Sequence, residues 1–264
     1  MTFLLAAVFG LVIGGALGLL GAGGSILAIP ALVYGVGLPL SAAIPTSLLV
    51  VAVSAAGGLV ARWRSKVIRW PVALVFAAAS VPAAFGGTAL GKLLPDRWLL
   101  VAFAVLMAVV AVRMLVAAPE RDGACRTSAG GVNWRSCVPK ALGVGAVVGV
   151  LTGLFGVGGG FVVVPALTML LGLTAPEAVA TSLVVIVLTS LGGLAAHATT
   201  MPDLPYGIAA VFAGVALLAS LLAGKAGDRL PARSVRRTFA FLILVVAAGV
   251  AAAAVFAPAA LHGG

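Results

Sequence analysis

The phrase GLLGAGGSILAIPAL, from Gly18 to Leu32, returns as GLFGVGGGFVVVPAL, from Gly153 to Leu167. Both copies lie inside nearly unbroken apolar sequence, and glycine and proline are the two poorest helix formers. Shifting the chain by 135 residues superposes Gly18–Ala61 on Gly153–Ala196 without a gap, with nineteen identities. They include Gly21/Gly156, Gly23/Gly158, Gly24/Gly159, Pro30/Pro165, Thr46/Thr181, Ser47/Ser182 and Gly57-Gly58/Gly192-Gly193. Apolar composition aligns Ala, Leu and Val by chance; it does not align Gly, Pro, Thr and Ser together. After one inserted residue the match resumes, with Leu94-Pro95 on Leu230-Pro231 and Phe103 on Phe239. The chain is therefore two halves on one plan.

The medium follows from charge. Only 8% of the residues are charged and 63% are hydrophobic, against about 25% charged in a soluble domain. So few charges cannot cover a water-facing surface, and the class expected is an all-α integral membrane protein. The net charge of +10 does not point to nucleic acid, because the basic residues gather in short loops between apolar segments. The apolar N-terminus lacks a basic leader region and a cleavage site, and is read as a first membrane segment. Cys125 and Cys137 have a spacing that fits no common metal or redox motif and are read as two unremarkable thiols.

Each half divides into five apolar segments: 3–20, 25–38, 42–61, 71–90 and 98–117, then 141–155, 160–173, 176–196, 206–223 and 238–257. Residues 3–38 as one helix would measure about 54 Å, against about 30 Å of hydrocarbon. The chain must turn back at the glycines, giving broken or re-entrant helices. Loops 62–70, 118–140 and 224–237 hold thirteen of the 16 basic residues and are expected in the cytoplasm. Loops 91–97 and 197–205 then lie outside, as do both termini. The third segment ends inside at Arg62 and its counterpart ends outside at His197, so the repeats are inverted. The organisation expected is a first repeat over 1–117, a cytoplasmic linker over 118–140 and a second repeat over 141–264. Inverted repeats with broken helices are common among secondary transporters.

Irregular backbone at membrane depth is tolerated where it is buried or lines a polar cavity. Glycine lets the chain turn and a ligand approach closely, and free N–H groups at a helix start suit an anion. The two breaks are thus expected to build one substrate site; the plainer account is close helix packing. Thr46-Ser47 and Thr181-Ser182 could add hydroxyl donors, although such hydroxyls often bond back to their own helix. Gly86 to Lys92 approaches a phosphate-binding loop, but Leu93 stands where Ser or Thr is required and the context is a helix end. Glu177, three residues after Thr174, reads as a capping box; as an acid near the membrane it also raises proton coupling. His197 ends a helix, with a ligand role disfavoured. No metal site and no cofactor are expected, since no cluster of His, Cys and acidic residues exists to hold one, and an enzyme or electron carrier is disfavoured for that reason. The sequence sets no copy number, and a homo-oligomer is compatible with it.

The twin pattern of Gly-x-Gly-Gly-[Gly/Ser], four residues, Pro, followed by Thr-Ser-Leu resembles the TauE/SafE family of bacterial inner-membrane proteins, the sulfite-exporter-like group, over about residues 5–255. The resemblance implies transport of a small sulfur-containing anion such as sulfite, sulfoacetate or thiosulfate by a multi-pass inner-membrane protein, in contact with lipid. Its motif residues are Gly21, Gly23, Gly24, Pro30, Thr46 and Ser47 in one half. In the other they are Gly156, Gly158, Gly159, Gly160, Pro165, Thr181 and Ser182. Ser25, where the second half has Gly160, could add a hydroxyl to the site, and Pro45 before Thr46 could alter that helix start. Alternating access at the repeat interface is the leading reading; a passive channel or exporter of another small solute is the alternative.

Overall fold

The computed structural model describes residues 2–21, 25–64, 67–116, 134–155, 160–197, 206–227, 237, 240–241 and 243–249. They are helical, without a strand among them. The order is α1 (Thr2–Leu20), α2 (Ser25–Pro30), a π-helical turn (Ala31–Gly35), α3 (Leu40–Arg62), α4 (Trp70–Gly91) and α5 (Asp96–Val116). Then come α6 (Trp134–Phe155), α7 (Gly160–Pro165), a second π-helical turn (Ala166–Leu170), α8 (Ala175–Ala196) and α9 (Tyr206–Gly227). Adding 135 to the bounds of α2 and its π turn gives those of α7 and its π turn. Adding 136 to the bounds of α4 gives those of α9. The repeat in residue types is matched by the bounds of these helices.

Among the described residues, five helices are long and apolar enough to cross a membrane: α3, α4, residues 137–155 of α6, 176–196 of α8 and 206–224 of α9. The stretches 25–35 and 160–170 are not. Each has six α-helical and five π-helical residues, or about 16 Å at about 1.5 Å per residue.

Local chemistry sets the breaks. Gly21, Gly37 and Gly172 have φ of +75°, +80° and +73°, a region where a side chain is strained. Gly37 and Gly172 are repeat equivalents that turn the chain between each short helix and the long one after it. Beyond Pro30 and Pro165 the bonding widens to the π pattern, with Val36 N–H donating to Ala31 O at 3.0 Å and Leu171 N–H to Ala166 O at 3.3 Å. Thr174 and Glu177 form the expected capping box at the start of α8. Pro45 lies inside α3, which begins at Leu40; it does not set the helix start.

The long helices pack through rows of glycine. A Cβ on Gly10 would stand 2.8 Å from the Phe212 carbonyl oxygen, one on Gly14 2.6 Å from Ala216 Cα, and one on Gly18 2.5 Å from the Ser220 carbonyl oxygen. Both series ascend together, so α1 and α9 run parallel. The same holds for α6 on α4: Cβ atoms on Gly145, Gly149 and Gly153 would meet Phe76, Ser80 and Ala84. Only small residues allow backbones this close, and packing of this kind drives helix association in lipid. By contrast, α3 and α8 run antiparallel, with Gly58 against Leu183 and Gly193 against Leu48, each at 3.3 Å. The described residues of the last apolar segment bury Ala240, Ile243 and Ala247 in the larger core cluster.

Two features differ from the sequence reading. Helix α6 begins at Trp134, not near 141, because its polar first turns extend beyond the apolar run. Cys137 is disulfide-bonded and buried, which overturns its reading as an unremarkable thiol. The chain's other cysteine, Cys125, lies outside the described residues.

Candidate functional site

Ser25 and Gly160 each follow a glycine-rich break, open a short helix and occupy equivalent positions in the two halves. The fold brings them into contact: a Cβ on Gly160 would stand 2.6 Å from Ser25 Oγ and 3.0 Å from Ile186 Cδ1. Ser25 is fully buried. One side chain fits at this junction, and the first half supplies it.

Gly21, at the end of α1, packs on the second half. A Cβ there would stand 2.7 Å from Val179 Cγ1. The Val179 carbonyl accepts the Ser182 hydroxyl at 2.8 Å. The glycine motif of one half thus abuts the Thr-Ser-Leu helix of the other. Gly23, Gly24, Gly156, Gly158 and Gly159 lie outside the described residues.

The four motif hydroxyls are fully buried and take up different partners. Thr46 donates to the Ala42 carbonyl at 2.7 Å and Ser47 to that of Ile44 at 2.8 Å. Thr181 Oγ1 accepts the Arg69 backbone N–H at 3.0 Å. The back-bonding anticipated for Thr and Ser in membrane helices therefore holds at three of the four. For these hydroxyls to serve a substrate, a donor must leave its own helix. Ser47→Ala and Ser182→Ala are accordingly expected to raise the half-saturation concentration for flux only two- to threefold, roughly the low end of a hydrogen bond's net worth. Flux titration in proteoliposomes measures this; an unchanged value for both variants excludes the hydroxyls.

Glu177 is engaged as an anchor. Its Oε1 accepts Arg69 Nε at 3.0 Å and Nη2 at 2.6 Å, and its Oε2 accepts the Thr174 N–H and hydroxyl at 3.0 and 2.9 Å. This ties the α3–α4 connection to the start of α8 and accounts for the acid without proton coupling. Gly86 and Gly91 lie within helix α4 and Lys92 caps it, so the resemblance to a phosphate loop does not extend to structure. Among the described residues no group of three His, Cys, Asp or Glu could hold a metal.

Sequence reasoning missed two residues. Arg62, at the end of α3, is only 3% exposed, and its Nη1 donates to the Gly18 carbonyl at 2.7 Å. Ser220 of α9 is fully buried, and its hydroxyl has no hydrogen-bond partner. An arginine at a predicted helix end reads as a loop charge, and a lone serine in an apolar run carries no signal.

The family model described as Sulfite exporter TauE/SafE matches residues 6–250. A "Probable membrane transporter protein" of Xylella fastidiosa strain Temecula1 is 39% identical over 176 residues, 66% of each chain. The chain thus spans just under two thirds of that relative's length. "Probable membrane transporter protein YunE" of Bacillus subtilis strain 168 is 30% identical over 214 residues, 75% of this chain and 78% of the relative. No solved structure matches the chain significantly. The chain belongs to the TauE/SafE sulfite exporter family.

Proposed function

We propose that the chain is a secondary transporter of small sulfur-containing anions, of the sulfite, sulfoacetate or thiosulfate class, working by alternating access at the junction of two inverted halves. The observation that carries this reading is the contact between Ser25 and Gly160. Equivalent residues of two like units meet each other only at a two-fold axis. The antiparallel packing of the equivalent helices α3 and α8, and the mirrored contacts Gly58–Leu183 and Gly193–Leu48, support the same axis. A site there is reached equally from either side of the membrane, as a carrier requires. No cation lies in either glycine motif, so the anion would be held by N–H groups and hydroxyls. Such donors are worth about 0.5–1.5 kcal/mol each, more toward a charge, and release what they bind. The test is flux of sulfite, sulfoacetate, thiosulfate and a carboxylate into proteoliposomes under imposed proton and sodium gradients. Preference for the sulfur oxyanions supports the reading, and tight binding of a divalent metal without anion flux overturns it.

Orientation is part of the proposal. Arg62 contacts the end of α1, and Arg69 the start of α8, so both lie on one side of the bundle; Lys92 and His197 lie on the other. The loops 62–70, 118–140 and 224–237 hold thirteen of the 16 basic residues in sequence, which supports a cytoplasmic position for the Arg62 side. The disulfide at Cys137 pulls the other way, because such bonds persist in oxidising compartments, but one bond is outweighed by thirteen charges. Alkaline phosphatase fused after Gly264 is expected to be active in intact cells, and fused after Ser128 inactive. The reverse pattern inverts the orientation.

A further inference from the structure

Ser220 is a polar atom that the fold does not explain. Its hydroxyl is fully buried and unpartnered, a condition that costs about 1–3 kcal/mol and has no water to relieve it at membrane depth. Packing does not require it, because the equivalent position in the first half is Ala84. A Cβ on Gly58 would stand 3.1 Å from Ser220 Oγ and 3.3 Å from Leu183 Cδ1. The hydroxyl therefore lies beside the α3–α8 seam, with Leu183 alongside.

A second group lies one turn away. Arg62 follows Gly58 by four residues, hence on the same face of α3. Its Nη1 lies 3.6 Å from where a Cβ on Gly224 would stand, and Gly224 follows Ser220 by four on α9. Gly18, Gly58 and Gly224 let the helices close tightly here, with Ala223 Cβ 2.9 Å from where a Cβ on Gly18 would stand and Ala61 Cβ 2.8 Å from one on Gly224. A buried arginine in a membrane protein faces the protein interior and marks a path for charge, and its fork of five donors matches an oxyanion while still holding the Gly18 carbonyl. At the opposite mouth the equivalents of Arg62 and Ser220 are His197 and Ala84. Burial pushes the His197 imidazole below its ordinary pKa, with the Gly193 carbonyl opposing and the Lys92 charge reinforcing. That mouth therefore offers neither a fixed charge at the equivalent position nor the hydroxyl.

We propose that the Ser220 hydroxyl and the Arg62 guanidinium form a second oxyanion position on the substrate's route, filled when the α3–α8 seam parts, at the Arg62 mouth only. This rests on the anion-transport reading and adds an asymmetry that the two-fold plan alone does not contain. The two faces of the carrier should then differ in apparent affinity.

The experiment uses Ser220→Ala in the full chain, with radiolabelled sulfite flux measured in vesicles of each orientation and the melting temperature measured in detergent. The substitution installs the residue that the other half already carries, so folding is secure. The expected result is a half-saturation concentration raised about tenfold from the Arg62 face and changed less than twofold from the other. The melting temperature should rise, because an unpartnered buried hydroxyl is gone. A higher melting temperature with unchanged half-saturation at both faces overturns the proposal, leaving an unsatisfied serine only. Equal loss at both faces also overturns it, by assigning Ser220 to the central site. Wild-type protein that moves no sulfur oxyanion from either face refutes the anion reading itself, and the second position with it.

Discussion

Gly14→Val is expected to deplete folded protein about tenfold, while Gly15→Val leaves it near the wild-type amount. The two glycines are neighbours in sequence, and only the packing separates them. A Cβ at Gly14 would overlap the Ala216 carbonyl and stand 2.6 Å from Ala216 Cα, whereas nothing lies within 4 Å of a Cβ at Gly15. The backbone of α9 cannot yield as a flexible side chain would, so α1 must withdraw and the whole contact opens. Overpacking of this kind costs about 1–3 kcal/mol and more where backbone is displaced, a large share of roughly 5–15 kcal/mol of total stability. At Gly15, exchanging glycine for valine in an open helical position changes stability by about 0.5 kcal/mol or less. Size-exclusion profiles and melting temperatures in detergent decide this; equal behaviour of the two variants would mean that the glycine row is not the contact described. Gly87 and Gly86 should repeat the contrast, since a Cβ at Gly87 would stand 2.9 Å from Val150 Cα and one at Gly86 meets nothing within 4 Å.

The largest effect on flux is expected at the junction of the halves. Gly160→Val should abolish transport, because even its Cβ would lie 2.6 Å from Ser25 Oγ and 3.0 Å from Ile186 Cδ1. The informative variant is the exchange. Gly160→Ser alone should lower flux at least about tenfold by crowding Ser25, yet Ser25→Gly combined with Gly160→Ser restores one side chain at the junction. Residues in direct contact couple in such cycles by about 0.5–3 kcal/mol. Recovery of a substantial part of wild-type flux in the double variant, with membrane levels equal throughout, is the result expected. If the double variant is as poor as Gly160→Ser, the two residues do not share one space. Gly23→Val and Gly158→Val, within the breaks themselves, should likewise lose transport while remaining in the membrane.

Much of this was legible because the chain repeats itself. An identity such as Pro30/Pro165 or Thr46/Thr181 pinned the register, and once it was pinned the segments at 25–38 and 160–173 were too short to span. The boundary at Trp134 was not legible, since hydropathy marks where a helix enters lipid and not where it begins. Nor was the difference between Gly14 and Gly15, which depends on the direction each Cα presents to α9. The motif hydroxyls illustrate a further limit. Sequence shows that Ser47 and Ser182 recur, but whether a hydroxyl faces a ligand or its own carbonyl is a matter of rotamer. Ser220 was invisible for the opposite reason: its counterpart is alanine, and a repeat draws attention only to what it conserves between its own halves.

The parallel contact of α1 with α9, mirrored by that of α6 with α4, has a consequence for biogenesis. Helix α1 is made well before its main partner α9, which starts at Tyr206. At about 5–20 residues per second, α1 stands in the bilayer with its glycine row uncovered for roughly 10–40 s. Neither half carries the mate of its own first helix, so each closes the other. A chain that stops before α9 leaves α1 without its main partner, and the two halves made as separate polypeptides should accumulate only when both are produced in the same membrane.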